Sequence, residues 1–266
     1  MKKNNDFYMR MRKQYMDDCT HLEYFCMFIG YPRSGHSIIG ALLDAHPNII
    51  IAHELNILSH IKGGLNKDEL YYFMLENSRL FAEIKRKWSG NSYLVPNQWN
   101  GTYSTLKVIG DKKGGKSGAL LFHNPKLLDL LKNTIDIPQK FIHVYRNPYD
   151  GISTMSKVDN ITLSQAMKKY FLRANSSKNI KLGIPQENWI DIKQESFIEN
   201  PKDWLTHLCD FLGQEASEEY KTDCAQIVYK SPNKSRFNAV WTDELIQEVD
   251  SEMKNYDFLC EYSYND

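Results

Sequence analysis

A loop near the beginning of the chain combines the residue types that bind phosphate groups. It runs from Gly30 to Ser37 with the sequence GYPRSGHS, after an apolar segment at residues 23–30. Its glycines have the spacing of the G-x-x-x-x-G-K-[ST] loop, whose backbone N–H groups surround a phosphate. The helix predicted at HSIIGALLDA adds the positive end of its dipole. The pattern predicts an anion site formed by Arg33, Ser34, Gly35, His36 and Ser37.

One residue distinguishes the sequence of this loop from that of the phosphate-binding loops of nucleoside triphosphatases. His36 occupies the place of the lysine that holds the β- and γ-phosphates of a triphosphate. A cation, Arg33, lies within the loop instead. Two alternatives stay open at this point. One is a P-loop kinase or NTPase in which Asp111 and Ser37 hold Mg²⁺, and the other is a nucleotide-binding module without catalytic activity. A tight turn that binds nothing is the remaining interpretation.

Two candidate bases follow the second predicted strand. His53 and Glu54 come directly after the β-branched segment IIIA at residues 49–52. In open α/β sheets the carboxyl ends of the strands carry the ligand crevice, and the phosphate loop lies at the same edge. A solvated loop carboxylate is an equally good interpretation of Glu54 from the residues alone. In an extended chain neighbouring side chains point opposite ways, so only one of the two would face the site.

Apolar, β-branched segments predict five strands, with helical patterns between them. They lie at residues 23–30, 49–52, 105–109, 140–145 and 189–192. Alternating strands and helices predict an α/β fold, a P-loop-like and mostly parallel sheet flanked by helices. The segment GDKKGGKSG after the third strand is interpreted as a mobile surface loop, apart from Lys112.

Polar residues mark the predicted starts of helices. Asn66 with Glu69, and Thr162 with Gln165, have the spacing of capping boxes. Three Asn-Pro pairs place a capping side chain before a proline suited to a first helical turn. These pairs lie at residues 124–125, 147–148 and 200–201.

Composition sets the limits of the function. The 33 basic and 33 acidic residues give zero formal net charge, so there is no general attraction to nucleic acid or anionic membranes. No apolar run approaches the roughly 18 residues of a membrane helix, and the charged N-terminal segment is not a secretory signal. Five cysteines without a Cys-x-x-Cys pair predict free, buried thiols in the cytoplasm. Eight scattered histidines predict no metal site. We expect one domain over residues 1–266.

Three segments give the chain a family resemblance. PRSGHS is similar to the 5′-phosphosulfate loop of the sulfotransferases that use 3′-phosphoadenosine 5′-phosphosulfate (PAPS). LLDAHPNIIIAHE is similar to the Golgi and tyrosylprotein branch of that family, in which such a segment leads to a catalytic glutamate. FIHVYRNPYDGISTMSK resembles the family's 3′-phosphate motif. The resemblance is clear over residues 25–54 and 141–158. It implies the sulfotransferase fold, PAPS as the donor and no metal.

The resemblance also implies roles for residues around the transferred group. It places Arg33 at the leaving phosphate oxygen and Glu54 as the base, with His53 as the competing base. Lys112 matches a lysine that contacts the sulfuryl oxygens. Charge stabilisation and positioning are what such an in-line displacement requires of a protein.

Donor recognition is implied by a second group of residues. Arg146 would hold the 3′-phosphate together with Thr154, eight residues later, or with its neighbour Ser153. Lys234 and Arg236 lie in KSPNKSRF, where family members often close over the nucleotide. A solvated basic loop is equally plausible there. Gln194 stands where relatives often carry an adenine-stacking tyrosine.

The acceptor is the least specified part of the prediction. We expect the hydroxyl or amine of a small molecule, in specialised metabolism, bound by the loops at residues 55–104 and 157–185. No nucleic-acid or membrane partner is expected, and the sequence predicts no oligomeric state.

Overall fold

A central parallel sheet organises the protein, whose computed structural model describes residues 15–266. The strands of the sheet are β1 (Tyr24–Gly30), β2 (Ile49–His53), β5 (Val108–Lys112), β6 (Gln139–Tyr145) and β7 (Trp189–Lys193). They are all parallel and lie in the order β2-β5-β1-β6-β7. A short antiparallel hairpin, β3 (Lys87–Trp88) with β4 (Asn91–Ser92), forms a second sheet.

The order of the strands places a crevice at the end of β1. From β1 the chain passes to the edge strand β2 and returns to β5, whereas β6 and β7 add to the other side of β1. Ligands of open α/β sheets bind where the strand order reverses, outside the carboxyl ends of the strands. The loop after β1 therefore lies at the switch point.

Helices cover both faces of this sheet. From residue 19 onward the α-helices are α1 (His36–Leu43), α2 (Ile57–Lys62), α3 (Lys67–Glu83), α4 (Gly114–His123), α5 (Lys126–Thr134), α6 (Pro148–Asp159), α7 (Leu163–Leu182), α8 (Gln194–Glu199), α9 (Pro201–Phe211), α10 (Glu218–Gln226) and α11 (Asp243–Met253). Alternate residues of β1 pack into two hydrophobic cores, one on each face of the sheet. Cys26 and Phe28 pack with α1, α8, α9 and α10, while Phe25 and Met27 pack with helices α2 to α5. A strand buried on both faces is continuously apolar, as β1 is.

The predicted α/β fold with a mostly parallel sheet is confirmed, and one strand needs correction. The third strand covers Val108–Lys112, not residues 105–109. The polar pair at its end misled the prediction, because Asp111 and Lys112 are buried inside the strand. Asp111 accepts a hydrogen bond of 2.7 Å from the backbone N–H of Ile57, and Lys112 pairs with Glu54. The segment after the strand is helix α4, not a mobile loop.

The predicted helix starts are confirmed in part. Asn66 and Thr162 form complete capping boxes with Glu69 and Gln165. Of the three Asn-Pro pairs, only that of Asn147 provides a side-chain cap, accepting from the N–H of Tyr149. Helix α5 begins after Pro125, and the side chain of residue 200 caps nothing.

Two further predictions concern buried free thiols and membrane-spanning helices. The five thiols are free, but only three of them are buried: Cys26, Cys209 and Cys224. Within residues 15–266 no helix has the length and apolar character needed to cross a membrane.

Candidate active site

A cleft opens at the carboxyl edge of the sheet, above the end of β1. Its volume is about 900 Å³, within the range of sites for nucleotides and other small ligands. Among the described residues that line it, five carry a positive charge and one carries a negative charge. The cations are Arg33, Lys113, Lys116, Arg146 and Arg173, and the carboxylate is Glu54. In a chain of zero net charge, this is a local concentration of positive charge that suits a polyanion.

The predicted phosphate loop forms one wall of the cleft. Arg33 and Gly35 adopt positive φ angles of 69° and 97°, which turn the chain sharply before α1. The positive φ of Gly35 favours glycine, and a Cβ there would also lie 2.9 Å from Nε2 of the flexible Gln194 side chain, which would have to shift. Ser34 is buried and donates to the carbonyl of Tyr31 at 3.0 Å. No side chain caps α1, so its first N–H groups are available to an anion.

His36 does not replace the missing lysine of a triphosphate loop. Its ring is buried, with Nδ1 3.1 Å from Oγ of Ser34. Burial, reinforced by Lys112, lowers the pKa of His36 to about 3. The imidazole is therefore neutral at pH 7 and supplies no charge to a phosphate.

Glu54 lies at the centre of a lysine pair. Lys112 donates to its Oε1 at 2.5 Å and to Oγ of Ser37 at 3.0 Å. Lys113 pairs with the other carboxylate oxygen, Oε2. Burial raises the pKa of Glu54, but the two ammonium groups outweigh it and lower the pKa to about 2. The pair Glu54–Lys112 thus joins β2, β5 and the phosphate loop at one point.

Close packing against α1 carries Lys112 to this position. Lys112 is 1% exposed, and a Cβ at Gly40 of α1 would lie 2.8 Å from its Cγ. The glycine therefore lets the lysine stem pass along the helix. Burial lowers the pKa of Lys112, while the charge of Glu54 opposes that shift.

The LLDAHP segment, residues 42–47, supports the wall of the cleft from the interior of the protein. Asp44 is fully buried and accepts hydrogen bonds from the N–H of Ile51 at 2.6 Å and from Oγ of Ser78 at 2.7 Å. It also pairs with the fully buried guanidinium of Arg86. Arg86 directly precedes β3, so this ion pair fixes the hairpin that carries Trp88 into the cleft.

His53 is directed away from the cleft. Its ring stacks on Phe81 at 4.0 Å between centroids and meets Trp88 edge-on at 5.1 Å. Burial and the charge of Lys112 lower its pKa to about 3. Glu54 has a φ of 59° rather than an extended conformation, and this turn brings its carboxylate into the cleft.

The predicted 3′-phosphate residues occupy another part of the cleft. Arg146 is 7% exposed and donates to the carbonyls of Arg33 at 3.2 Å and of Asn233 at 2.6 Å. Its Nε is buried and has no partner among the described residues. Thr154 lines the cleft, whereas the Oγ of Ser153 accepts a hydrogen bond of 3.0 Å from the indole of Trp241.

Lys234 and Arg236 lie outside the lining of the cleft. Arg236 is 1% exposed and forms an ion pair of 2.6 Å with Asp150. Both basic side chains also contact the carbonyl of Asp266, Lys234 at 2.6 Å. Asp150 thus pairs with Arg236 and, at 3.6 Å, with Arg146, and of these two guanidinium groups only that of Arg146 lines the cleft.

Several residues that line the cleft had not been singled out. Lys113 and Lys116 belong to the segment interpreted as a mobile loop, and Arg173 lies in a long helix whose polar positions are mostly solvated. Three aromatic side chains also contribute: Trp88, Tyr93 and Tyr229. The run of lysines after Asp111 was the available signal for Lys113. No pattern in the sequence indicates Arg173 or Tyr229.

The structure gives little support to a metal-dependent triphosphatase. Asp111 is fully buried and does not line the cleft. One of its carboxylate oxygens accepts a hydrogen bond from the N–H of Ile57. Burial raises its pKa to about 6. Over residues 15–266, no group of three or more His, Cys, Asp or Glu residues could hold a metal ion.

Comparison with solved structures shows that other proteins share this fold. The sulfotransferase domain of the Synechococcus PCC 7002 olefin synthase has a similar structure, with a TM-score of 0.54 and 15% identity over 89% of this chain and 96% of that chain. A Mycobacterium avium sulfotransferase gives a TM-score of 0.53 and 11% identity over 95% of this chain and 81% of that chain. The sulfotransferase domain from the curacin biosynthetic pathway gives a TM-score of 0.50 and 13% identity, covering 89% of this chain and 99% of that chain. Identities this low show a shared fold.

A match to the sequence model of a family identifies the family, whereas these structural likenesses show only the fold. No curated protein sequence matches the chain. The model of the sulfotransferase family, however, matches residues 27–218, which include the phosphate loop, the Glu54–Lys112 pair and Arg146. The chain belongs to the sulfotransferase family.

Proposed function

We propose that this protein transfers the sulfuryl group of PAPS to a hydroxyl or amine of a small-molecule acceptor. The observation that carries the proposal is that Glu54 and the phosphate loop line one cationic cleft, while the buried Lys112 contacts both Glu54 and Ser37 of that loop. A carboxylate that can take a proton lies beside the cations that can stabilise a leaving oxyanion. A pure binding module has no need of such a carboxylate among its phosphate-binding cations.

The cleft fits the donor at two anionic positions. The loop Arg33–Ser37 and the first turn of α1 suit a 5′-phosphosulfate, because free N–H groups and a guanidinium converge there. Arg146 and Thr154 suit a 3′-phosphate, since the buried Nε of Arg146 has no partner within residues 15–266. Arg146 also touches the carbonyl of Arg33, so the two positions are adjacent.

The adenine position has no stacking tyrosine at residue 194. Gln194 and Ile198 line the cleft from α8, and Tyr229 lines it from the segment after α10. Tyr229 is 54% exposed, and its hydroxyl donates to Asn91 at 3.1 Å. We assign the adenine to this apolar end of the cleft, with Tyr229 in place of the missing tyrosine.

We assign to Arg33 and Lys112 the stabilisation of the negative charge that develops during sulfuryl transfer. The bound donor would supply an activated sulfuryl group with a phosphate as its leaving group. Arg33 lines the cleft beside the N-terminus of α1 and would stabilise the phosphate oxygen as charge develops on it. The buried ammonium of Lys112 is held in place by Glu54 and Ser37, so little reorganisation is needed during the reaction.

Glu54 is the base that the geometry favours. Its carboxylate lines the cleft, whereas His53 is packed between Phe81 and Trp88. A general base must come within hydrogen-bonding reach of the proton that it removes. Glu54 can orient and deprotonate an acceptor hydroxyl after one lysine gives up its contact with the carboxylate.

The proposal is tested by incubating the purified protein with PAPS, EDTA and a panel of phenols, alcohols and amines. Mass spectrometry should detect a sulfated product together with 3′-phosphoadenosine 5′-phosphate. A matched reaction with ATP and Mg²⁺ should give neither ADP nor a phosphorylated product. Metal-dependent turnover of ATP, with no use of PAPS, would contradict the proposal.

A further inference from the structure

Two cations that line the cleft have no part in the proposed binding of the donor. They are Lys116 of α4 and Arg173 of α7. We propose that these two side chains bind a carboxylate of the acceptor, which is therefore a hydroxy acid, a phenol or alcohol that also carries a carboxylate. The assignment of this anion to the acceptor rests on the proposed sulfuryl transfer, whereas the binding of a carboxylate by the two cations does not.

The guanidinium of Arg173 has no carboxylate partner in the described part of the chain. Most arginines of residues 15–266 form ion pairs there, namely Arg79, Arg86, Arg146 and Arg236. The other two, Arg33 and Arg173, form none within that range, and both line the cleft. Arg173 is half-buried, so part of its hydration has been lost without a compensating negative charge. Such a guanidinium favours an anionic ligand.

The glycine-rich start of α4 brings the two cations together. Nη1 of Arg173 donates to the carbonyl of Gly115 at 2.9 Å, and Lys116 is the next residue of the chain. A Cβ at Gly115 would lie 3.1 Å from Cδ of Pro32 and 3.4 Å from Nη1 of Arg173, so the glycine lets both approach α4. The hydrogen bond uses one of the five N–H groups of the guanidinium. The others can bind a carboxylate through two parallel hydrogen bonds.

The order of the strands places these cations on the same side of the phosphate loop as the proposed base. Glu54 follows β2, and Lys116 lies in the helix that follows β5, and both strands lie on one side of β1. Arg146 follows β6, and α8, assigned to adenine, follows β7, both on the other side of β1. The donor is therefore assigned to the β6 and β7 side. An anion at Lys116 and Arg173 lies on the side from which Glu54 would deprotonate an acceptor.

Helix α4 limits the distance between the carboxylate and the reacting hydroxyl of the acceptor. Lys113 directly precedes α4 and pairs with Glu54, and Lys116 lies three residues farther along. Three residues of a helix advance by about 4.5 Å and return to the same face. A hydroxyl beside Glu54 and a carboxylate beside Lys116 are thus about one helical turn apart along α4. This spacing favours a compact hydroxy acid in which a single ring separates the two groups.

Calorimetric titration of the full chain, with and without 3′-phosphoadenosine 5′-phosphate, compares three hydroxy acids with their neutral carboxamides. The acids are 4-hydroxybenzoate, 4-hydroxyphenylacetate and 3-(4-hydroxyphenyl)propionate. Each carboxamide has nearly the shape of its acid without the charge. At least one acid should bind about ten- to a hundredfold more tightly than its carboxamide, the effect of one hydrogen bond to a charged group. Equal affinities within all three pairs, or no binding of any acid, would overturn the inference without relying on the folding of a variant.

Two variants on α7 assign the preference for the acid to a residue. Arg173→Gln should remove most of that preference, whereas Lys178→Met, which removes an exposed cation outside the cleft lining, should preserve it. The same preference in both variants would contradict the inference. A tenfold loss of affinity for 3′-phosphoadenosine 5′-phosphate in Arg173→Gln would assign Arg173 to the donor and also overturn it. If the wild type prefers the acids but does not bind the nucleotide, the proposed function fails and the carboxylate site stands.

Discussion

Lys113 pairs with the oxygen of Glu54 that Lys112 leaves free, so two ammonium groups hold both oxygens of one carboxylate. This arrangement keeps Glu54 ionised and holds its pKa at about 2, although burial acts in the opposite direction. General bases work best with a pKa near the working pH. The basicity of Glu54 is therefore limited first by Lys112 and then by Lys113, the more exposed of its two partners.

Replacing Lys113 by methionine should raise the pKa of Glu54, because a carboxylate that loses a nearby cation is more easily protonated. Carbon-13 NMR of labelled glutamate carboxyl groups measures that pKa without requiring an acceptor. Lys116→Met is the matched control, since Lys116 also lines the cleft from α4. A Glu54 titration that is the same in wild type and Lys113→Met would refute the ion pair.

The same ion pair should make stability depend on pH. The pKa of folded Glu54 lies below its ordinary value of 4.5, so the pairing stabilises the fold above that pH and the contribution is lost as pH falls toward 2. The difference in Tm between wild type and Lys113→Met should accordingly shrink on acidification. Thermal unfolding at a series of pH values measures it, and a difference that grows in acid would contradict the prediction.

Glu54→Gln should lower kcat by roughly two to four orders of magnitude, the usual contribution of a general base. Affinity for 3′-phosphoadenosine 5′-phosphate should change little, because the carboxylate is assigned to the acceptor. His53→Ala is the comparison, and it should retain most of the activity of its folded fraction. If His53→Ala abolished turnover and Glu54→Gln did not, the two residues would have to exchange roles.

Arg146→Ala should weaken binding of 3′-phosphoadenosine 5′-phosphate by about ten- to a hundredfold, since a hydrogen bond to a charged group contributes about 1.5–3 kcal/mol. AMP lacks the 3′-phosphate, so its affinity should hardly change. Arg146 also contacts the carbonyl of Arg33, and the AMP titration separates the two roles. Equal losses for both nucleotides would mean that Arg146 supports the loop rather than the 3′-phosphate. Lys234→Ala, outside the cleft lining, provides the control.

Arg236→Met should destabilise the fold by about 1.5–3 kcal/mol, because Asp150 loses the charged hydrogen bond to its nearer cation and keeps only Arg146 at 3.6 Å. Denaturant unfolding measures the loss. The nucleotide affinity of the folded protein should stay close to that of wild type. A variant of normal stability with weakened nucleotide binding would instead support the role that the family resemblance implies for Arg236.

The sequence was informative where a function requires consecutive residues. The loop Arg33–Ser37 was recognisable because backbone turn, helix start and charge all lie within one short segment. The third strand was misplaced because buried Asp111 and Lys112 look like loop residues until their partners, Ile57 and Glu54, are known. Burial of a charge depends on a contact across the fold, and single-sequence patterns do not contain that contact.

The same limit applies to residues that reach the site from distant elements. The motif spacing pointed to Thr154 and left Ser153 as the alternative, and the structure separates them because Thr154 lines the cleft whereas Ser153 accepts a hydrogen bond from Trp241. The residues alone left His53 and Glu54 open and the family resemblance favoured Glu54; the positive φ at Glu54 and the aromatic contacts of His53 show that only the Glu54 carboxylate lines the cleft. Arg173 was not recognised because its role depends on where α7 crosses α4.

Calorimetric titration with 3′-phosphoadenosine 5′-phosphate in EDTA tests the account most directly, because it requires no knowledge of the acceptor. The protein should bind this nucleotide at one site without metal, more tightly than AMP. ATP with Mg²⁺ should bind weakly and remain unhydrolysed. Metal-dependent ATP binding, together with no heat from 3′-phosphoadenosine 5′-phosphate, would contradict the assignment of the cleft to PAPS.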